Sequence, residues 1–249
     1  MLPDLSPAHW AIAILAAMSV GIAKSGLAGI GVVPVLMFAG IFGARESTGI
    51  TLPVLIVGDL LAAAAYRRHA DWAILLRMLP PACLGVAAAA WGMRWIDDAQ
   101  FRPILGTITL ALIAAQLLRD RWPDRWMHVP HSMAFAWLLG LLAGATTMLA
   151  NAAGPVLVVY ALAIGLSKMT LVGTVGWFFL LINLFKVPFS ASLGLLSGGT
   201  VLFAVALFPA VAAGLWVGRW IVVTLPQNVF NNLLLAGAGL ASLRLLGVF

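Results

Sequence analysis

Lys24, Asp59 and Lys186 are ionisable side chains set in apolar surroundings, where each offers chemistry its neighbours do not. Lys24 closes an apolar run over residues 10–23, Asp59 lies inside the run 54–66, and Lys186 lies late in the run 177–188. An ionisable group at membrane depth is costly and marks a substrate path or a proton relay, unless it pairs or escapes to an interface. Ser25 and Asn183 stand close to two of them in sequence, and Thr146, Thr147 and Asn151 stand in a glycine-rich stretch further off; all are neutral groups that donate hydrogen bonds. Two ammonium groups among neutral donors suit an anion, and Asp59 suits the protonatable group of a proton-coupled carrier. Plainer readings stand beside these. Lys186 can extend along its own stem to the nearer headgroup layer, and Asp59 can pair with a lysine or with Arg67 or Arg68. Asn183, Lys186 and Ser190 are spaced i, i+3, i+7 and share one helical face. Pro188 removes an N–H and frees the carbonyl of Leu184 nearby.

Two glycine-rich interruptions position these residues. The first runs from Lys24 through Gly26, Gly29 and Gly31 to Pro34; the second runs from Ala143 through Gly144 and Gly154 to Pro155. Each falls inside a long apolar stretch, at corresponding places in two halves of the chain. Paired Gly/Pro-interrupted segments are the best sequence pointer to the binding site of a secondary transporter. A broken helix in a membrane frees backbone N–H groups, which is tolerated only where they line a cavity. At the positive end of a half-helix such N–H groups suit an anion, here those around Gly29, Gly31 and Gly154. The alternative is that the glycines only let helices pack closely, with the hydroxyls bonded back to their own helices.

Composition sets the class. Of 249 residues, 63% are hydrophobic and 9% charged, and the mean hydropathy is +1.08. Soluble domains carry about 25% charged residues, so this is a polytopic membrane protein. The apolar residues come in continuous runs, not in alternation, which excludes a transmembrane β-barrel and makes the fold all-α. At roughly 20 residues per span there is room for about eight to ten crossings. The net charge of +6 comes from basic residues scattered at run ends, as topology signals are, so no nucleic-acid partner is expected. Cys83 is the sole cysteine and reads as a small packing residue. His9, His69, His128 and His131 stand at run ends or in loops, no metal-ligand spacing, hydrolase elbow or Walker loop occurs, and neither a cofactor nor an enzyme is implied. The N-terminus lacks a basic leader region, so the first run is expected to be a retained span.

Along the chain the apolar runs are 10–23, 32–42, 47–66, 74–91 and 104–118 in a first repeat, residues 1–120. A polar connector follows at 121–131. A second repeat, 132–249, carries runs at 133–143, 156–166, 171–189, 200–223 and 228–246. Arg45 aligns with Lys168 and Asp59 with Asn183. Five passes per half would put Lys24, Arg67, Arg68, the 119–125 loop, Lys168 and Arg219 on one side, the cytoplasmic one, and would make the repeats inverted; four would make them parallel. The inverted arrangement is preferred.

These features together resemble one family, the TauE/SafE-type sulfite exporter permeases. The resemblance is carried by Gly21, Lys24, Gly26, Gly29, Gly31 and Pro34, then Thr51, Pro53 and Asp59, then Tyr66 to His69 with Asp71 and Trp72. In the second half it is carried by Gly144, the stretch from Ala153-Gly154-Pro155 to Tyr160, Lys168, Gly173, Thr174, Asn183 and Lys186. Where family members commonly have more glycine and two prolines, this chain has Ala152-Ala153-Gly154-Pro155. The resemblance implies an α-helical permease with two homologous halves, moving sulfite, sulfoacetate or a related organosulfonate across a bacterial inner membrane. The expected partners are a small anion and the lipid bilayer, and the reading is compatible with a homodimer. Substrate-binding residues would be Lys24, Ser25, Gly29, Gly31, Thr146, Thr147, Asn151, Gly154, Asn183 and Lys186, with Asp59 coupling to protons. Other readings left open are a carrier of a different small anion, such as a carboxylate, and a membrane assembly protein without a substrate.

Overall fold

In the computed structural model the described residues are 5–27, 31–42, 44–93, 114, 132–151, 153–226, 228–229, 232–233, 236 and 243. Every regular element among them is an α-helix. The first half supplies α1 (Pro7–Lys24), α2 (Val32–Phe42), α3 (Ala44–Tyr66) and α4 (Trp72–Gly92). The second supplies α5 (Met133–Ala150), α6 (Gly154–Ala163), α7 (Lys168–Ser192), α8 (Gly198–Ala206) and α9 (Phe208–Thr224). The expected run 104–118, the connector 121–131 and most of the run 228–246 lie outside the described residues.

Local chemistry sets the helix starts. Ser6, Asp71, Ser132, Ser167 and Ser197 each stand at an N-cap, and their side chains accept a backbone N–H of the first turn. Such caps satisfy donors that have no partner inside the helix. α1 ends in a turn through Gly26, whose φ of 120° is open only to glycine without strain. α5 ends at Asn151 in the left-handed conformation, φ 51° and ψ 32°, a conformation asparagine tolerates better than most residues.

The halves pack by exchanging partners. α1 lies against α9, where Gly21 meets the backbone of Val211 and Leu215 and Gly214 meets that of Met18. α5 lies against α4 in the same manner, with Gly144 on Ala82 and Gly85 on Leu141. A Cβ at any of these four glycines would overlap the facing backbone, the close approach small residues allow between membrane helices. α3 and α7 face one another between these pairs.

Among the described residues four helices are long and apolar enough to cross a membrane, namely Pro7–Lys24, Glu46–Tyr66, Trp72–Gly92 and Lys168–Ser192, and α8 with α9 passes as a bent pair. Trp91, Trp216 and Trp220 on the outer faces are 67%, 75% and 68% exposed, which suits lipid and not water.

Two features differ from the sequence expectation. The second interruption is shorter than 143–155: α5 continues through Gly144 to Ala150, so only residues 151–153 separate it from α6. Gly144 is there for packing against α4, not for a break. The run 200–223, expected as one span, is broken at Leu207 with a bend of 50°. Pro209 stands in the first turn of α9, where its missing N–H costs nothing but prevents the helix from continuing unbroken.

Candidate functional site

Both breaks open on one cleft. It encloses about 790 Å³ of space outside atoms, including its open mouth, and Lys24, Gly26, Gly31, Pro34, Thr147, Asn151, Gly154 and Asn183 contribute to its lining. Much of the remaining lining is apolar, supplied by Val20, Leu55, Val158, Leu171, Val172, Val175 and Phe179. α1 and α2 deliver the first break, α5 and α6 the second, and α7 lines the cleft from Leu171 to Asn183.

Polar groups behind the lining form one continuous chain. Lys24 Nζ lies 2.6 Å from Asp59 Oδ1. Asn183 Nδ2 donates to Asp59 Oδ2 at 2.7 Å, and Asn183 Oδ1 accepts from Lys186 Nζ at 3.2 Å. The Asn183 amide can face only this way, because an ionised carboxylate accepts and an ammonium donates. Lys186 Nζ then donates to Asn151 Oδ1 at 2.6 Å, to the Thr147 carbonyl at 2.8 Å and to Thr147 Oγ1 at 3.2 Å. The chain thus joins α1, α3, α7 and the end of α5. Two lysines and one aspartate leave it with an excess positive charge.

Burial decides between the readings left open by the sequence. Asp59 is fully buried and paired with Lys24, so its ion-pair partner is the lysine. Lys186 is 2% exposed and reaches inward to the second break instead of a headgroup layer. Asn183, Lys186 and Ser190 are all buried, which matches their shared helical face. Lys24 is the ionisable member that reaches the cleft, its side chain 9% exposed and its Nζ 4.0 Å from the centre of the Phe179 ring. A cation over an aromatic face is attracted by the ring's negative quadrupole.

Not every predicted residue joins this group. Ser25 is buried, its hydroxyl donates to the carbonyl of Ile22 at 2.7 Å, and Gly218 of α9 packs against it. Thr146 donates to the carbonyl of Ala143 at 3.0 Å. Both hydroxyls are bonded back to their own helices and neither lines the cleft. Gly29 lies outside the described residues. At Gly31 a Cβ would meet no described residue within 4 Å. Phe179 is the cleft residue that chemistry-led reading passes over. Its signal was its place one helical turn before Asn183, on the face that carries Lys186.

A family model described as sulfite exporter TauE/SafE matches residues 11–245. The chain belongs to this family. No curated protein and no solved structure matches it. As a TauE/SafE member it is a multi-pass membrane protein of a sulfite exporter-type transporter class, with a small-molecule substrate and a lipid surrounding. Some of the residues that carry the family resemblance gather at the breaks: Lys24, Gly26, Gly31, Pro34, Gly154 and Asn183 line the cleft, and Asp59 and Lys186 are hydrogen-bonded or paired to lining residues.

Proposed function

We propose that the chain is a secondary carrier of a small sulfur-containing anion, an organosulfonate such as sulfoacetate or else sulfite itself, across a bacterial inner membrane, coupled to protons through Asp59. The observation that carries this reading is the Lys24–Asp59 pair at the edge of the cleft. Among the described residues, Lys24 holds the ammonium that both lines the cleft and has an exchangeable partner. An incoming sulfonate competes with the Asp59 carboxylate for that ammonium. A proton on Asp59 releases Lys24 to the anion, so anion binding and proton binding support each other, and such linkage is reciprocal. Thr147, Asn151 and Asn183 add hydrogen-bonding groups at the same end of the cleft.

The apolar wall favours an anion with a carbon body over a bare oxyanion. Sulfite would leave Val172, Val175 and Phe179 facing water, whereas an organosulfonate can cover them while its head meets Lys24. A break from each proposed repeat opens on the same cleft, which supports an inverted-repeat carrier. The test is flux in proteoliposomes with sulfite, sulfoacetate, a longer alkylsulfonate and the matching carboxylates. The reading expects sulfonates to move and protons to move with them. Preferred movement of the carboxylates would assign a different anion, and no anion movement at all would refute the carrier.

A further inference from the structure

Lys186 faces more acceptors than it has protons to give. An ammonium carries three N–H donors, yet Asn151 Oδ1, the Thr147 carbonyl, Thr147 Oγ1 and Asn183 Oδ1 all lie within 2.6–3.2 Å of its Nζ. All four oxygens are neutral. One is a backbone carbonyl in the last turn of α5, where the helix breaks and the negative end of its dipole points. Asp59 adds a full negative charge one hydrogen bond further on, through Asn183. A carbonyl at a broken helix end, a hydroxyl and two amide oxygens converging on one buried point make a donor set for a hard monovalent cation. Carriers coupled to sodium use unwound carbonyls and half-helix C-terminal ends in this way.

We propose that this oxygen shell is a monovalent-cation site occupied by the protein's own ammonium, with Lys186 a tethered ion standing where a sodium-coupled carrier binds a free one. The tether fixes the charge at the second break through every state of the cycle, so the cation cannot leave with the cargo and no sodium is needed. Removing the ammonium leaves four oxygens aimed at one vacated point beside Asp59, and an alkali cation should then take that point. Only the transport arm of the test depends on the carrier reading given above; the binding arm does not.

The test uses the full chain in detergent as wild type, Lys186→Ala, Lys186→Met and Lys186→Ala with Asn151→Ala. Thermal unfolding and binding of radioactive sodium are followed in choline, lithium, sodium and potassium chlorides at equal ionic strength. The wild type should unfold alike in all four salts and bind no sodium. Lys186→Ala should unfold earlier in choline, recover in sodium chloride, and bind the radioactive sodium; the added Asn151→Ala should abolish the recovery. Lys186→Met, which fills the channel without a charge, should be weakened in every salt. The proposal is overturned by a wild type that binds sodium, by Lys186→Met as stable as the wild type, or by Lys186→Ala that sodium chloride does not recover. In proteoliposomes, replacing sodium by choline should leave wild-type flux unchanged and stop Lys186→Ala flux. A wild type without anion flux would sink the carrier reading while the binding arm stood.

Discussion

Cutting the Lys24–Asp59 pair from either side should have unequal consequences, and the inequality can be worked from burial. Lys24→Met leaves the Asp59 carboxylate fully buried with only the Asn183 N–H at 2.7 Å. Removing one partner of a buried pair costs about 3–5 kcal/mol, because the survivor is an uncompensated charge. Asp59→Asn leaves Lys24 at the cleft edge, still over Phe179 at 4.0 Å and partly in reach of water, so the cost should be nearer ~1–3 kcal/mol. In the double variant no charge is stranded, and its loss should fall short of the sum by about 1–3 kcal/mol, the coupling expected between residues in contact. Thermal unfolding of the purified protein reads this, at roughly 2–4 °C per kcal/mol for a chain of this length. Additive losses, or a larger loss for Asp59→Asn than for Lys24→Met, would refute the reasoning.

The neighbouring threonines should part company. Thr146→Val removes a bond to its own helix and should change stability by less than about 1 kcal/mol, whereas Thr147→Val removes one of the four oxygens around Lys186, leaving three for its three N–H groups, and should cost about 1–1.5 kcal/mol in the same unfolding assay. Gly144→Ala would press a Cβ into the Ala82 backbone and should lose about 1–3 kcal/mol. Gly40→Ala, whose Cβ would meet nothing within 4 Å, should gain about 0.5–1 kcal/mol from reduced chain freedom in the unfolded state. Phe179→Leu should weaken sulfonate binding, measured by calorimetry, if the ring holds Lys24 in place, by the ~0.5–2 kcal/mol of a cation–π contact.

The helices were legible where periodicity and hydropathy suffice. The run 32–42 returns as Val32–Phe42, and the run 74–91 as Trp72–Gly92 with its Asp71 cap. Glycine misled in one place because its two uses look alike in sequence. Gly26 serves a turn at φ 120°, while Gly144 serves helix contact, and only the facing backbone of Ala82 tells them apart. The bend before Pro209 was signalled by the proline alone, ten residues ahead of Arg219, the run's one charged residue. At the site, residue types were legible and pairings were not. Asp59 could have met Arg67, about two turns further on and just past the end of α3, and nothing in the local pattern says that Lys24, 35 positions earlier, is brought to it by the packing of α1 on α3. Lys186 was readable as costly, but the oxygens that hold it come from α5 and α7 together.

Sulfonate-driven proton movement in proteoliposomes, measured for the wild type beside Asp59→Asn and Lys24→Met, tests the central claim most directly. The wild type should move the sulfonate and protons together. Asp59→Asn should keep anion flux but lose its dependence on the proton gradient, and Lys24→Met should lose flux. Wild-type rates in Lys24→Met, or unchanged proton coupling in Asp59→Asn, would contradict the account.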